Sequence, residues 1–204
     1  MKSVLLVLLA AACGDGTGPG DDFREDRFAD GALSAYTVYS DGGNPWSVSG
    51  GTLRGNGVGL QSVLIRNGDV VRDGWVEAVA DSMDDGGLVL RFAGPDRYYM
   101  LAIRDDGAPS LFPSENLQIY EKSGPGQAGF REVWSHNAAW PRGTSRTVRF
   151  ESAGDSLRVY LNGTRLGTVA APARATDGTG FGVRHYGDSP TWITRYRRLR
   201  WSDD

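Results

Sequence analysis

Leu157-Arg158-Val159-Tyr160-Leu161-Asn162-Gly163-Thr164-Arg165-Leu166 is the stretch that decides the fold. Leu157, Val159 and Leu161 alternate with Arg158 and Tyr160, the period-two pattern of a strand with one buried face. Asn162-Gly163 tolerates the two positive φ angles of a type I′ turn, so the segment reads as a β-hairpin. Asn162-Gly163-Thr164 also matches a glycosylation acceptor, but turn chemistry already accounts for it.

The same grammar extends along the chain. Strands are expected at Ala32 to Tyr39, Trp46 to Val48, Gly51 to Arg54, Ser62 to Ile65, Trp75 to Asp81, Leu88 to Phe92 and Tyr98 to Arg104. More follow at Leu117 to Glu121, Phe130 to Trp134, Thr147 to Glu151, Leu157 to Leu161, Arg165 to Val169, Phe181 to Tyr186 and Ile193 to Trp201. Turn clusters separate them, among them Asp41-Gly42-Gly43, Asp84-Asp85-Gly86-Gly87, Gly94-Pro95-Asp96 and Asp105-Asp106-Gly107. Many short strands without a helical stripe imply an all-β sandwich or closed barrel. Alternation sets Leu88, Leu90 and Phe92 on one face, with Val89 and Arg91 on the other. Likewise Tyr99, Leu101 and Ile103 alternate with Tyr98, Met100, Ala102 and Arg104.

The N-terminus has a different character. Met1-Lys2-Ser3 is basic, Val4 to Ala12 is an apolar run too short to span a bilayer, and Cys13 is the chain's one cysteine. Leu9-Ala10-Ala11-Ala12-Cys13 resembles the lipobox of bacterial lipoproteins, which implies lipidation at Cys13 and a cell-envelope location facing periplasm or exterior. Plain secretion after cleavage near Ala12 is the alternative. Residues 1–12 are then signal, and 13–22 a Gly/Asp-rich tether with nothing apolar to bury. The remaining 23–204 form one domain, long enough for a single core. A lipid is the expected membrane attachment. With no further cysteine, disulfides cannot staple this domain.

Twenty of the 22 basic residues are arginine, with only Lys2 and Lys122 as lysines, and the formal net charge is −3. Codon bias explains the arginines more simply than a phosphate-directed role, and the acidic balance gives no reason to expect a nucleic-acid partner.

Several motifs in order resemble a concanavalin A-like (laminin-G-like) jelly-roll domain over about residues 23 to 202. They are Phe28-Ala-Asp-Gly-Ala-Leu33 with Tyr36-Thr-Val38, Trp46-Ser-Val-Ser-Gly-Gly-Thr-Leu53, Gly87-Leu-Val-Leu-Arg-Phe92 with Asp96-Arg-Tyr-Tyr-Met-Leu101, Asp155 to Gly163, and Gly180-Phe-Gly-Val183. The resemblance is closest to the group that includes 3-keto-disaccharide hydrolase-like domains and surface lipoproteins. It implies an antiparallel jelly-roll β-sandwich of the lectin/glucanase type. It also raises a structural calcium near the opening strand, where Glu25, Asp26 and Asp30 could contribute. The acidic pair usual in the last strand is replaced by Ile193-Thr-Arg-Tyr-Arg-Arg-Leu199, so solvated acids are the favoured reading and no cofactor is expected.

Catalytic patterns are weak. The six glutamates do not form the Glu-x-Asp-x-x-Glu strand of laminarinase-type relatives, and Glu77 with Asp81 lacks a third acid. His136 and His185 have no metal-ligand spacing, and the Gly-x-Ser-x-Gly elbow is absent. Binding has more support, because six tryptophans and eight tyrosines suit sugar recognition by ring stacking. Arg91 and Tyr98 lie opposite the face assigned to the core, and Arg184 and Tyr186 flank His185 in the same alternation. The resemblance places that outward side on the concave sheet. Arg91, Tyr98, Arg184 and Tyr186 are therefore the expected ligand-binding residues, against a competing reading as scaffold. Trp75 and Trp201 are expected in the core, and the loops around Trp46, Trp140 and Trp192 are the fallback site.

The leading expectation is a non-catalytic carbohydrate-binding or adhesion module with a glycan partner. The alternatives are a glycoside hydrolase resembling the 3-keto-disaccharide hydrolases, or a structural envelope domain without a small ligand. Changing Cys13 to Ala should move the protein from the membrane to the soluble fraction. Failure of the unaltered protein to take up labelled fatty acid would sink the anchor.

Overall fold

The computed structural model describes residues 22–57, 60–106, 116–171, 178–187 and 189–203. Residues 1–21, which hold the expected signal, Cys13 and the start of the expected tether, lie outside the described residues. The hairpin forms as its sequence requires, with φ of 48° at Asn162 and 80° at Gly163. Fifteen strands are present among the described residues: β1 (Arg24–Asp26), β2 (Tyr36–Ser40), β3 (Trp46–Ser49), β4 (Thr52–Asn56), β5 (Leu60–Arg66), β6 (Gly74–Met83), β7 (Gly86–Gly94) and β8 (Arg97–Ile103). The rest are β9 (Leu117–Lys122), β10 (Phe130–His136), β11 (Arg146–Ala153), β12 (Ser156–Leu161), β13 (Thr164–Ala170), β14 (Gly180–Gly187) and β15 (Ile193–Asp203). The first expected strand is shorter than its pattern suggested, beginning at Tyr36 rather than Ala32, and β1 was not foreseen.

The strands make two antiparallel sheets, as a jelly-roll β-sandwich requires. One runs β13-β12-β11-β6-β15-β4-β3, with β1 added to β15. The other runs β10-β9-β8-β7-β14-β5-β2. Between them lies a core of Val76, Ala78, Phe150, Leu157 and Leu199 from the first sheet and Leu64, Leu88, Leu101, Ile119 and Phe181 from the second. Trp46, Trp140 and Trp201 are also core residues. Trp75 is buried too, but at the surface of the first sheet, beneath the Arg149 guanidinium at 3.9 Å and beside Phe23. No helix among the described residues is long and apolar enough to cross a membrane.

Strict alternation fails in β7, and the failure has consequences. The pairing with β8 shifts register between Leu90 and Gly94, a β-bulge, and Arg91 takes φ of 52°. Arg91 therefore turns inward and Phe92 outward, reversing the expected assignment. The Arg91 side chain crosses to the opposite sheet, donating from Nε to Ser152 Oγ (2.9 Å), from Nη1 to the Ala171 carbonyl (2.6 Å) and from Nη2 to the Gly154 carbonyl. It is a tie between sheets, not an outward ligand donor.

Tyr196 is the second tie. It stands on β15 with no exposed surface, and its hydroxyl reaches the other sheet. That oxygen accepts from Gly87 N at 2.8 Å and lies 2.7 and 3.0 Å from the carbonyl oxygens of Arg184 and Gly87, to which its single proton is donated. Tyr196→Phe should cost about 1–3 kcal/mol, since it strands buried backbone groups. Arg91→Met should cost about 2–4 kcal/mol. Chemical denaturation checks both; wild-type stability in both variants would overturn the assignment.

Candidate functional site

The outer face of the seven-stranded sheet carries a second apolar cluster of Val63, Ile65, Val89, Phe92, Tyr98 and Met100. Most of these residues alternate with core residues, so the sheet is apolar on both sides in this region. Beside the cluster lies a cleft of about 580 Å³. Its walls are aromatic: Tyr120 and Phe130 stand edge to face at 6.3 Å on one side, with Tyr186 and Trp192 at 6.2 Å on the other.

Polar side chains join into a ladder that crosses the sheet. Gln118 Nε2 donates to Glu132 Oε2 at 2.7 Å, and Arg104 Nη1 donates to Gln118 Oε1 at 2.5 Å. Arg104 Nη2 reaches Asp85 Oδ2 at 3.1 Å, while Arg184 Nη1 takes Asp85 Oδ1. Arg184 Nη2 then donates to Gln61 Oε1 at 3.1 Å. Strands β10, β9, β14 and β5 contribute Glu132, Gln118, Arg184 and Gln61, Arg104 follows the end of β8, and the β6–β7 turn inserts Asp85 as the central acceptor. Arg184 and Asp85 are 3% and 5% exposed, so these charges survive burial only as partners. Arg184 Nε has no acceptor among the described residues. The cleft thus offers ring faces at its edges and fixed hydrogen-bonding groups between them, the combination that grips a polyhydroxylated ring.

Of the expected site residues, Arg184 and Tyr186 line this cleft together. Tyr98 lines a neighbouring cleft of about 440 Å³ that shares Gln61, Gln127 and Phe130 with the first. Burial pushes the Tyr98 phenol up to about 12, against the opposing pull of Arg184. Arg91 is absent from both clefts for the reason given above. Trp192 is the one tryptophan of the three fallback loops that reaches the cleft. Asp85, Arg104, Gln118 and Glu132 were missed. Arg104 shares a face with Tyr98 by alternation, so it could have been found; Asp85 sits in a turn and carries no periodic signal.

Acids considered for other roles have internal partners. Glu77 pairs with Arg149 at 3.1 Å and Arg200 at 4.0 Å, and Asp81 pairs with Arg197, all on the outer face of the eight-stranded sheet. Asp26 accepts from Phe28 N, Tyr36 Oη and Arg66 Nη1, Asp30 from Ala32 N, and Glu25 pairs with Arg27, Arg198 and Arg200.

No family model matches the chain, and no curated protein matches it. Solved structures share its fold. Carbohydrate binding module CBM66 from Bacillus subtilis superposes with a TM-score of 0.61 at 11% identity, covering 83% of this chain and 92% of that one. The metal-free carbohydrate recognition domain of Emp46p gives 0.58 at 12% identity, covering 84% and 89%. The xylan beta-1,4-xylosidase from Bacillus halodurans C-125 gives 0.56 at 14% identity, covering 88% of this chain but 39% of the enzyme. The protein is an all-β antiparallel jelly-roll sandwich, a fold it shares with this carbohydrate binding module and this carbohydrate recognition domain.

His185 lies under the cleft between Arg184 and Tyr186, on the core side of β14. It is fully buried, with Nδ1 at 3.3 Å from Thr194 Oγ1 and its ring edge-on to Trp46. Burial first, then the Arg184 charge, pushes the imidazole down to about 4. An unfolded chain takes up this proton near 6.5. Stability should therefore fall as pH drops through the window from about 6.5 to about 4, by at most about 3 kcal/mol. His185→Asn should flatten that slope between pH 7 and 5. A wild-type melting temperature constant over this range would contradict the assignment.

Proposed function

We propose that the protein is a non-catalytic carbohydrate-binding module, held on the bacterial cell envelope by a lipid at Cys13. The observation that carries the reading is the cleft, where two aromatic walls flank a ladder of fixed donors and acceptors. Fold likeness to a carbohydrate binding module and a carbohydrate recognition domain supports it. The expected partner is a neutral glycan, met by stacking on Tyr186 and Tyr120 and by spare hydrogen-bonding capacity of Arg184, Gln61 and Glu132.

Hydrolysis, in the manner of a 3-keto-disaccharide hydrolase, is the second reading, because Asp85 and Glu132 both line the cleft. Binding is preferred on geometry. Each Asp85 oxygen already accepts from a guanidinium, so neither is free to attack a sugar or shuttle its proton.

A glycan array tests the proposal. Tyr186→Ala and Tyr120→Ala should each weaken binding to any glycan found by ten- to a hundred-fold, about 1–3 kcal/mol, with little change in melting temperature. Sugar released from a bound glycan would move the reading to a hydrolase. An array with no ligand at all would leave a structural envelope domain in its place.

A further inference from the structure

The arginines that replace the acidic pair in the last strand do not point into the carbohydrate cleft. They lie on the outer face of the other sheet, around an open cleft of about 900 Å³ lined by Arg27, Arg54, Arg195, Arg197, Arg198 and Asp81 among others. Five arginines and one aspartate face one space in a protein whose net charge is −3. The concentration of charge is local, not a reflection of overall composition.

Two features of the backbone produce it. β15 carries an irregularity between Tyr196 and Arg198, so that Tyr196 pairs with Ala80 and Arg198 with Val79. Tyr196, Leu199 and Trp201 consequently stay in the core while both Arg197 and Arg198 are turned outward. On the other side of β15, Arg195 is the register partner of Arg54 on β4. Like charges directly opposite on neighbouring strands repel, so this pair costs stability unless an anion sits between its members.

The ion pairing separates these arginines into two groups. Arg27 and Arg198 are held by Glu25, and Arg197 by Asp81. Arg54 and Arg195 have no ion pair among the described residues, and Arg195 Nε is buried without an acceptor. A buried donor left unmatched costs free energy that a ligand oxygen would recover. Guanidinium forks match tetrahedral oxyanions in a bidentate manner, and a phosphate group brings both the charge and the number of acceptor oxygens to serve two of them.

We infer that Arg54 and Arg195 form a binding site for a phosphate group, on the sheet opposite the carbohydrate cleft and independent of it. The site would serve free phosphate or a phosphate displayed at a lipid surface equally in chemistry, and the two sources are separable by experiment.

The test uses the full-length chain carrying Cys13→Ala, so that no lipid anchor contributes. Inorganic phosphate is titrated against sodium chloride at matched ionic strength, with ³¹P line broadening and calorimetry as readouts. Saturable phosphate binding is expected, weakened roughly ten-fold or more by Arg54→Gln and by Arg195→Gln. A second arm compares sedimentation with phosphatidylglycerol/phosphatidylcholine vesicles and with phosphatidylcholine alone. Preference for the anionic vesicles, lost in both variants, identifies a lipid phosphate as the source. Arg54 is exposed, so Arg54→Gln should keep the wild-type melting temperature and remains informative if Arg195→Gln unfolds. Absence of phosphate and vesicle binding, or binding that survives Arg54→Gln, overturns the inference.

Discussion

The structure depends on one hydroxyl group. Tyr196 extends from the eight-stranded sheet and hydrogen-bonds backbone groups of β7 and β14 in the seven-stranded sheet. It fits because of what it meets there. A Cβ on Gly86 would stand 2.8 Å from the Tyr196 hydroxyl, and one on Gly87 would stand 2.0 Å from the Leu101 carbonyl oxygen. Gly87 also adopts φ of 154°, a conformation that L side chains rarely take. The two acids before these glycines complete the corner. Asp84 accepts from Ile193 N at 2.8 Å and Arg142 Nη2 at 2.6 Å, fixing the start of β15. Asp85 turns the other way and gathers Arg104 and Arg184 beneath the cleft. Four consecutive residues thus tie the two sheets together and centre the polar ladder.

The arginines show how strand irregularities distribute one residue type among unlike jobs. A bulge in β7 sends Arg91 inward, where its three donors join the sheets. Regular alternation in β14 sends Arg184 outward into the ladder. On the opposite sheet, Arg149, Arg200 and Arg158 pair with Glu77, Glu25 and Glu151 across neighbouring strands or nearby. Such half-exposed pairs contribute little each. Their aliphatic stems and ring contacts cover apolar surface, as Arg149 does over Trp75. Among the described residues Arg54 and Arg195 remain outside this pairing, and they face each other in register across β4 and β15. A chain with no cysteine after position 13 relies on these ties and on the core for its cohesion.

The strands, their turns and most of their buried faces were legible in the residues themselves. Leu157 to Leu166 specifies a hairpin locally, because alternation and Asn162-Gly163 act over distances of a few residues. Tyr99, Leu101 and Ile103 share one face by the same alternation, and that face lies in the core. The N-terminal reading, too, rests on sequence alone. Part of the candidate site was equally accessible: Arg184 and Tyr186 follow from parity on an uninterrupted strand.

What only the tertiary structure decided is where parity breaks and which distant strands become neighbours. Nothing in Leu90-Arg91-Phe92 announces a bulge, since the extra residue is demanded by strands β8 and β14 on either side. That non-local demand turned Arg91 from an expected ligand donor into an internal tie. Sheet order likewise placed Asp85, from a turn, between Arg104 and Arg184, residues 80 positions apart that no local pattern connects. A strand's face is set by its own alternation, but a site is set by register between strands, and register is fixed only when the whole sandwich closes.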